Sequence, residues 1–165
     1  MRSTGQKLSE IFDLAKYHNR DIKGKGIKVA IFDSGLSEAY SRGSEQSESE
    51  FLRVKQIVNF SHDKSSQDAP GHGTFITGVV GSLNKECPGI APEAEVYVLK
   101  LFADRVSYTS WFLDAFNFVL QNGIDIVNLS NGSSDFLDIP FIEKINELTA
   151  NGVIIVSAIG NEGPF

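Results

Sequence analysis

Residues 27–35 read Ile-Lys-Val-Ala-Ile-Phe-Asp-Ser-Gly, and this stretch decides the fold class. A short, β-branched and mostly apolar run of this kind is typical of a strand buried on both faces of a parallel sheet. Similar runs follow at residues 54–60, 96–102, 124–129 and 153–159, and the run at 54–60 is the least apolar. The sequence therefore predicts five strands.

Helical patterns lie between these predicted strands. Apolar residues recur at helical spacing over residues 72–83, 110–120 and 141–148, and Pro140 suits the first turn of the last of these helices. An Asn-Gly pair follows each of the last two helices, where a left-handed residue is expected. The strand–helix–strand order implies an α/β fold of three layers, α/β/α, around a mainly parallel sheet.

Composition indicates one ordinary globular unit. The chain has 165 residues, of which 41% are hydrophobic and 22% charged. Residues 1–23 are expected to form a helical lead-in, with one helix over residues 6–23 that packs against the sheet.

The net charge of −6 does not favour nucleic-acid binding, whose footprint is a basic face. The single cysteine, Cys87, excludes an internal disulfide, and no apolar run approaches the roughly 20 residues of a membrane helix.

Asp33 ends the first predicted strand and is followed by Ser34 and Gly35. Functional groups of parallel α/β sheets collect at the carboxyl ends of the strands, so this carboxylate is well placed to orient another group. The same residues also form an ordinary turn cap, and they equally suit the start of a metal or phosphate site. The position alone leaves these alternatives open.

His72 is the strongest single candidate for chemistry. It lies between Gly71 and Gly73, which leave backbone space around the imidazole, and helical periodicity begins directly after it. An imidazole ordinarily titrates near neutrality, which suits a general base. His18 and His62 lack such a setting and are interpreted as surface residues. No spacing of His, Cys and carboxylates resembles a zinc site, so no metal is predicted.

Two polar segments follow the last two predicted strands. Asn161 lies in Gly-Asn-Glu-Gly after the final strand, and its carboxamide can donate a hydrogen bond to a developing oxyanion. An ordinary turn asparagine is the alternative interpretation. Ser130, Asn131 and Gly132 follow the strand before it, where an extended peptide can pair with the exposed backbone. A plain strand-to-helix loop is the alternative there.

Taken together, these segments resemble the subtilisin-like serine proteases, whose catalytic residues follow the chain order Asp, His, Ser. The matching motifs are, in order, residues 31–35, 71–78, 89–94, 129–132 and 160–163. The resemblance covers about residues 24–165 and implies a partial subtilisin-like peptidase domain. Residues 106–117, 135–141 and 147–151 are similar to a narrower, luminal branch of the family that cleaves membrane-bound precursors.

The resemblance implies a role for each matched residue. His72 is implied as the general base, Asp33 as the acceptor that fixes the imidazole tautomer, and Asn161 as the oxyanion donor. The segment that pairs with an extended protein or peptide substrate comprises Ser130, Asn131 and Gly132. No cofactor is implied, and the implied location is the lumen of the endoplasmic reticulum or Golgi, or the cell exterior.

The chain departs from the family pattern at three places, one of which is Gly132-Ser133, where many members have Gly-Gly. The family carries its nucleophile in Gly-Thr-Ser, whereas here Gly73 and Thr74 are followed by Phe75. The chain is therefore expected to lack the nucleophilic serine, to be inactive alone, and to form a truncated fold. Such a fold leaves an exposed sheet edge that favours self-association. Residues 83–89 are shorter than the calcium-binding loop of bacterial members, so no calcium is assigned.

Two other classes of function compete with a peptidase. A non-catalytic α/β binding module derived from a protease would not need Asp33, His72 and Asn161 together. A nucleotide-binding, doubly wound domain predicts a glycine-rich phosphate loop after the first strand, and only Gly35 stands there. The serine endopeptidase is the preferred interpretation.

Overall fold

A computed structural model of the chain describes residues 8–41, 51–103, 106–130, 132, 138–161 and 163. The strands are β1 (Lys28–Asp33), β2 (Val54–Asn59), β3 (Glu95–Lys100), β4 (Ile126–Leu129) and β5 (Ile154–Ser157). They form one sheet in the order β2-β3-β1-β4-β5, and every pairing is parallel. The predicted α/β class and parallel sheet are confirmed.

Three longer helices connect these strands. The described residues contain α1 (Leu8–Ile11), α2 (Leu14–His18), α3 (Glu38–Ser41), α4 (His72–Gly81), α5 (Thr109–Asn122) and α6 (Ile139–Ala150). The last three match the predicted helices within a few residues, and α3 was not predicted. Gly123 closes α5 with φ of 58°, the left-handed conformation expected of the Asn-Gly pair.

Helices cover both faces of the sheet. The side chains of β1 alternate between two apolar clusters, one on each face. Val29 and Ile31 pack with residues of β3 and α4, including Val80. Ala30 and Phe32 lie in the opposite cluster, which α5 and α6 complete. The three-layer arrangement predicted from the strand–helix order is therefore confirmed.

Aromatic packing fixes the end of β1 where Asp33 stands. The Phe32 ring lies 5.1 Å from the Phe116 ring, centroid to centroid, and both side chains are fully buried. The Phe141 ring of α6 lies 5.4 Å from Phe116. Burial of a side chain of this size contributes roughly 1.5–3 kcal/mol to stability. The strand end below the carboxylate is thus held by a dense, ordered core.

The topology places Asp33 at the switch point of the sheet. From β1 the chain builds one side of the sheet through β2 and β3, and it then crosses to the other side for β4 and β5. Ligands of open α/β sheets bind in the crevice at such a point, outside the carboxyl ends of the strands. The carboxyl end of β1 is where a functional site is expected.

The single helix predicted over residues 6–23 is wrong. Two short helices, α1 and α2, stand there, and Asp13 between them has a left-handed φ of 47°, which interrupts the helical ladder. Leu14 is buried, but Ile11 and Phe12 are more than half exposed. The apolar pattern therefore overestimated how much of this segment packs against the domain.

The strand β5 is more exposed than its apolar sequence predicts. Ile154 and Val156 are 60% and 56% exposed, and in the described part of the chain β5 pairs with β4 alone. A continuous apolar run indicates a strand suited to burial on both faces, and here the structure leaves the face of Ile154 and Val156 uncovered. Among the helices that the structure describes, none is long and apolar enough to cross a bilayer.

Candidate active site

Asp33 is a buried carboxylate at the carboxyl end of β1. Its side chain is only 3% exposed, so its charge must be met by hydrogen bonds. The backbone N–H of Ser34 donates to Asp33 Oδ1 at 2.8 Å. The carboxylate is therefore held at the sheet edge from its own turn, with its remaining acceptor capacity directed at α4.

His72 supplies the principal partner of that carboxylate. His72 Nδ1 lies 2.8 Å from Asp33 Oδ1 and 2.9 Å from Asp33 Oδ2. Because an ionised carboxylate only accepts, Nδ1 carries the proton, and the neutral imidazole keeps its lone pair on Nε2. The His72 side chain is 53% exposed and lines an open cleft. The buried carboxylate therefore fixes the tautomer of a half-exposed imidazole.

Gly73 allows α4 to approach β1 closely enough for this contact. A Cβ at residue 73 would lie 2.4 Å from the Gly35 carbonyl oxygen and 3.2 Å from Asp33 Cβ. The Thr77 hydroxyl, fully buried one turn later, donates to the Gly73 carbonyl at 2.7 Å. The glycine after His72, which the sequence suggested as a source of space, is thus the contact point between helix and strand.

Asp68 is a second buried carboxylate beside the pair, and sequence reasoning assigned it no role. It accepts from Ser34 Oγ at 2.7 Å, from Thr74 N at 2.7 Å and from Gly71 N at 3.0 Å. Burial alone raises its pKa, but the hydrogen bonds from Thr74, Ser34 and Gly71 outweigh burial and hold the pKa below its ordinary value. The acidic residue four positions before His72 was the available sequence signal.

Lys100 places a buried cation at the same edge of the sheet. It is the register partner of Asp33 on β3, and its Nζ lies 3.0 Å from Asp63 Oδ2. Nζ also donates to the Gln67 carbonyl at 2.7 Å. Because the side chain is only 5% exposed, this pairing is what makes its burial tolerable. Lys100 thereby ties the segment after β2 to the sheet.

An open cleft of about 890 Å³ brings most of the predicted site residues together. Its lining includes Asp33, His72, Ser130, Asn161, Asp63 and Lys100. A Cβ at Gly132 would lie 2.5 Å from Gly160 Cα, so the segment after β4 abuts the segment after β5. Asn131 lies outside the described residues. The structure therefore gathers at one edge the groups that the sequence placed after three different strands.

Two further predictions concern histidines and metals. His62 is exposed and stacks edge-on against Trp111, as expected of a surface residue. His18 is partly buried, with Nε2 3.0 Å from the Ile90 carbonyl. Across the described ranges, no group of three or more His, Cys, Asp or Glu side chains is arranged to hold a metal ion.

A parallel α/β sheet with an Asp–His pair and an asparagine lining a cleft at its carboxyl edge fits the class of subtilisin-like proteins. Residues 24–165 match the model of the subtilase family, so the chain belongs to this family. The family predicted from the ordered motifs is therefore confirmed.

Named relatives narrow the similarity further. Over 143 residues, 86% of the chain, it is 49% identical to the membrane-bound transcription factor site-1 protease of Homo sapiens. It is 40% identical over 160 residues to the subtilisin-like protease SBT6.1 of Arabidopsis thaliana, and 33% identical over 150 residues to subtilisin BL of Lederbergia lenta. These two alignments include 96% and 88% of the chain, respectively. The predicted similarity to a narrower branch of the family is confirmed by the similarity to the site-1 protease.

The chain spans only part of these relatives. It corresponds to 13% of the length of the human protein, 15% of the plant protein and 52% of subtilisin BL.

Replacing Gly73 by alanine is expected to separate His72 from Asp33. The added Cβ meets a backbone oxygen at 2.4 Å, so α4 must shift, at a cost of about 1–3 kcal/mol in the free energy of unfolding. Gly78→Ala is the matched control, because a Cβ at residue 78 of the same helix meets nothing within 4 Å. That control is expected to stabilise the chain by about 0.5–1 kcal/mol. Equal effects of the two substitutions on denaturant unfolding would contradict the close approach.

Replacing Asp68 by asparagine is expected to destabilise the chain in a pH-dependent manner. Because the folded-state pKa of Asp68 is lowered, its stabilisation is present above the unfolded pKa of about 3.9 and is lost as the pH falls through the folded value. The deficit of Asp68→Asn is expected to be about 1.5–3 kcal/mol at pH 7, the range for hydrogen bonds to charged groups.

Denaturant unfolding between pH 7 and pH 3 measures this difference. The difference in the free energy of unfolding between the wild-type chain and Asp68→Asn is expected to become smaller as the pH falls toward 3. Asp114→Asn, at an exposed position on α5, is the control and is expected to change stability by less than about 0.5 kcal/mol. A deficit of constant size across the pH range would contradict the assignment of a charged Asp68.

Proposed function

We propose that the chain supplies the acid–base part of a serine endopeptidase site that hydrolyses peptide bonds of protein substrates. The proposal is carried by the contacts of 2.8 and 2.9 Å from His72 Nδ1 to the Asp33 carboxylate, at an open cleft. In such a triad the histidine takes the nucleophile's proton at Nε2 and later gives it to the leaving amine. Asp33 holds the tautomer and stabilises the imidazolium that forms.

Asn161 and residues 130–132 complete the proposed site. Asn161 lines the same cleft as His72, and its carboxamide donates to the oxyanion that develops on the scissile carbonyl. Ser130, Asn131 and Gly132 pair with the backbone of a substrate bound in an extended conformation. The close approach of Gly132 to the residue before Asn161 supports a shared floor for both contacts.

The nucleophile, in this proposal, is a serine outside these 165 residues. No Gly-Thr-Ser occurs in the sequence. In the cleft, the Ser34 hydroxyl is bonded to Asp68, and Ser130 Oγ accepts from Asn128 Nδ2. Residues 24–165 are then part of a larger peptidase domain, residues 1–23 are its lead-in, and the 165 residues alone do not hydrolyse peptides.

The relatives suggest where the enzyme acts and on what. The name of the site-1 protease refers to membrane-bound transcription factors, and we extend it to propose protein substrates in the secretory pathway or outside the cell. A net charge of −6 supports peptide rather than nucleic-acid partners. Triad chemistry calls for no cofactor.

The uncovered strand β5 suggests a further property of the isolated chain. Ile154 and Val156 project from an edge strand at more than half exposure, a combination that invites pairing with another chain. We therefore propose that the 165-residue chain self-associates through β5.

Labelling by a fluorophosphonate, which reacts with activated serines, tests the proposed activity. The natural protein that contains these residues is expected to be labelled, and the 165-residue chain is not. His72→Ala is expected to slow labelling by about 10⁴-fold, the scale seen when a triad is disabled. His62→Ala, at an exposed histidine, serves as the control.

Three outcomes would contradict the proposal in different ways. Stoichiometric labelling of the 165-residue chain would place the nucleophile within it. Labelling that is indifferent to His72→Ala would remove the proposed base. A natural protein that is folded but never labelled would favour the non-catalytic binding module.

Sedimentation velocity tests the proposed self-association. The 165-residue chain is expected to form dimers or larger species at micromolar concentration. Paired lysine substitutions at Ile154 and Val156 are expected to return it to the monomer, because two charges then line the edge. Ile142→Lys, at a position on α6 that is 44% exposed, is the control. A wild-type chain that stays monomeric at every concentration would refute the proposal.

A further inference from the structure

We propose that Asp68 is a positioning residue for the Asp33–His72 pair. In this account Asp68 holds the hydroxyl proton of Ser34 and the first turn of α4, which leaves the Asp33 carboxylate free to accept from His72. The inference rests on the proposed function, since the position of His72 matters for catalysis only if His72 is the base.

Asp68 is a buried charge that hydrogen bonds, rather than a cation, satisfy. It is 7% exposed, and its two oxygens accept from Ser34 Oγ, Gly71 N and Thr74 N at 2.7–3.0 Å. No ion pair to Asp68 occurs among the residues that the structure describes. Two of its donors are backbone N–H groups at the start of α4, where a helix presents positive charge.

The two backbone N–H groups that donate to Asp68 belong to residues on either side of His72 in the chain. Gly71 lies directly before it, and Thr74 lies two residues after it. The carboxylate therefore fixes the helix start on both sides of the imidazole. This is the first of two routes by which Asp68 sets the position of His72.

The second route runs through the single hydroxyl proton of Ser34. Ser34 Oγ lies 2.7 Å from Asp68 Oδ1 and 3.1 Å from Asp33 Oδ1, and it accepts from Gly73 N at 3.1 Å. A serine hydroxyl has one proton, so it donates to only one of the two carboxylates. The shorter distance assigns that proton to Asp68.

This assignment determines how strongly Asp33 binds His72. Asp33 Oδ1 already accepts from Ser34 N and from His72 Nδ1, each at 2.8 Å. If Asp68 were neutral, the Ser34 hydroxyl would turn to Asp33 and add a third donor to the same oxygen. A carboxylate stabilised by another donor is a weaker acceptor for the imidazole, so the bond to His72 would lengthen.

The other charged groups of the cleft offer a matched control. Besides Asp33, His72 and Asp68, the described part of the chain places Asp63 and Lys100 in the cleft, and these two side chains pair with each other at 3.0 Å. Asp63→Asn removes the same charge from the same cleft as Asp68→Asn. It does not touch the Ser34 hydroxyl or the start of α4, and Lys100 Nζ keeps the Gln67 carbonyl and the new amide oxygen as acceptors.

The test is the proton NMR resonance of His72 Nδ1–H in the full 165-residue chain. A strong hydrogen bond to a carboxylate holds this proton at low field. Asp68→Asn is expected to shift the resonance upfield, whereas Asp63→Asn leaves it in place. In a Ser34→Ala background, where no hydroxyl proton remains, Asp68→Asn is expected to cause a clearly smaller upfield shift.

Ser34→Ala alone provides an independent test should Asp68→Asn fail to fold. Because the hydroxyl is assigned to Asp68, its removal is expected to leave the His72 resonance close to its wild-type position. A downfield shift in Ser34→Ala would show that the hydroxyl donates to Asp33 and would overturn the proposal. An Asp68→Asn resonance at the wild-type position, or a shift of equal size with and without Ser34, would also overturn it.

The two proposals fail in distinguishable ways. Fluorophosphonate labelling of the natural protein reports on the nucleophile and on His72 as its base. The His72 resonance of the 165-residue chain reports only on how the pair is held. Labelling that persists while Asp68→Asn leaves the resonance unchanged would remove the role of Asp68 and keep the peptidase.

Discussion

The hydrogen bonds from His72 Nδ1–H to the two oxygens of Asp33 connect elements that lie 39 residues apart. Asp33 ends a central strand whose neighbouring side chains are buried on both faces, so the carboxylate cannot move without disturbing the core. His72 begins a helix that reaches this strand only because Gly73 has no side chain. The chemistry of the site therefore depends on one contact between a rigid strand and a closely packed helix.

The parallel sheet explains why the other polar groups gather at the same place. The strands β1, β3 and β4 end at one edge of the sheet, and the segments after β4 and β5 meet at Gly132 and Gly160. Lys100 and Asp63 anchor the segment between β2 and α4, and Asp68 fixes that segment to the start of the helix. The edge is a connected polar network over an apolar core, and in the described residues no buried side-chain polar atom lacks a hydrogen bond.

Much of the fold follows from sequence patterns because local rules decide it. Three patterns each depend on a few neighbouring residues: the apolar runs, the Asn122-Gly123 pair that ends α5, and the alternation of strands and helices. The segment at residues 6–23 shows the limit of that approach, since apolar spacing does not reveal the left-handed turn at Asp13. The exposure of Ile154 was hidden for a related reason, because a strand's sequence does not state what covers it.

The sequence predicts the site residues whose immediate neighbours in the chain mark them. It does not predict a site residue whose role depends on a partner far away in the chain. Asp33 and His72 stand out through their positions at a strand end and between glycines, and the structure brings them together. Asp68 looks like an ordinary loop aspartate, and its importance depends on Ser34, which is 34 residues away. Such a partnership exists only after the helix has packed on the sheet, and the spacing of Asp68 four residues before His72 does not by itself reveal it.

The tautomer of His72 is the most direct test of this account. Nitrogen-15 chemical shifts of the two ring nitrogens, measured in mildly alkaline solution, show which nitrogen carries the proton. The geometry predicts that Nδ1 of His72 is protonated and Nε2 is bare, with the exposed His62 as the reference in the same sample. A folded chain in which His72 carries its proton on Nε2 would contradict the account, because Asp33 would then have no donor at the imidazole.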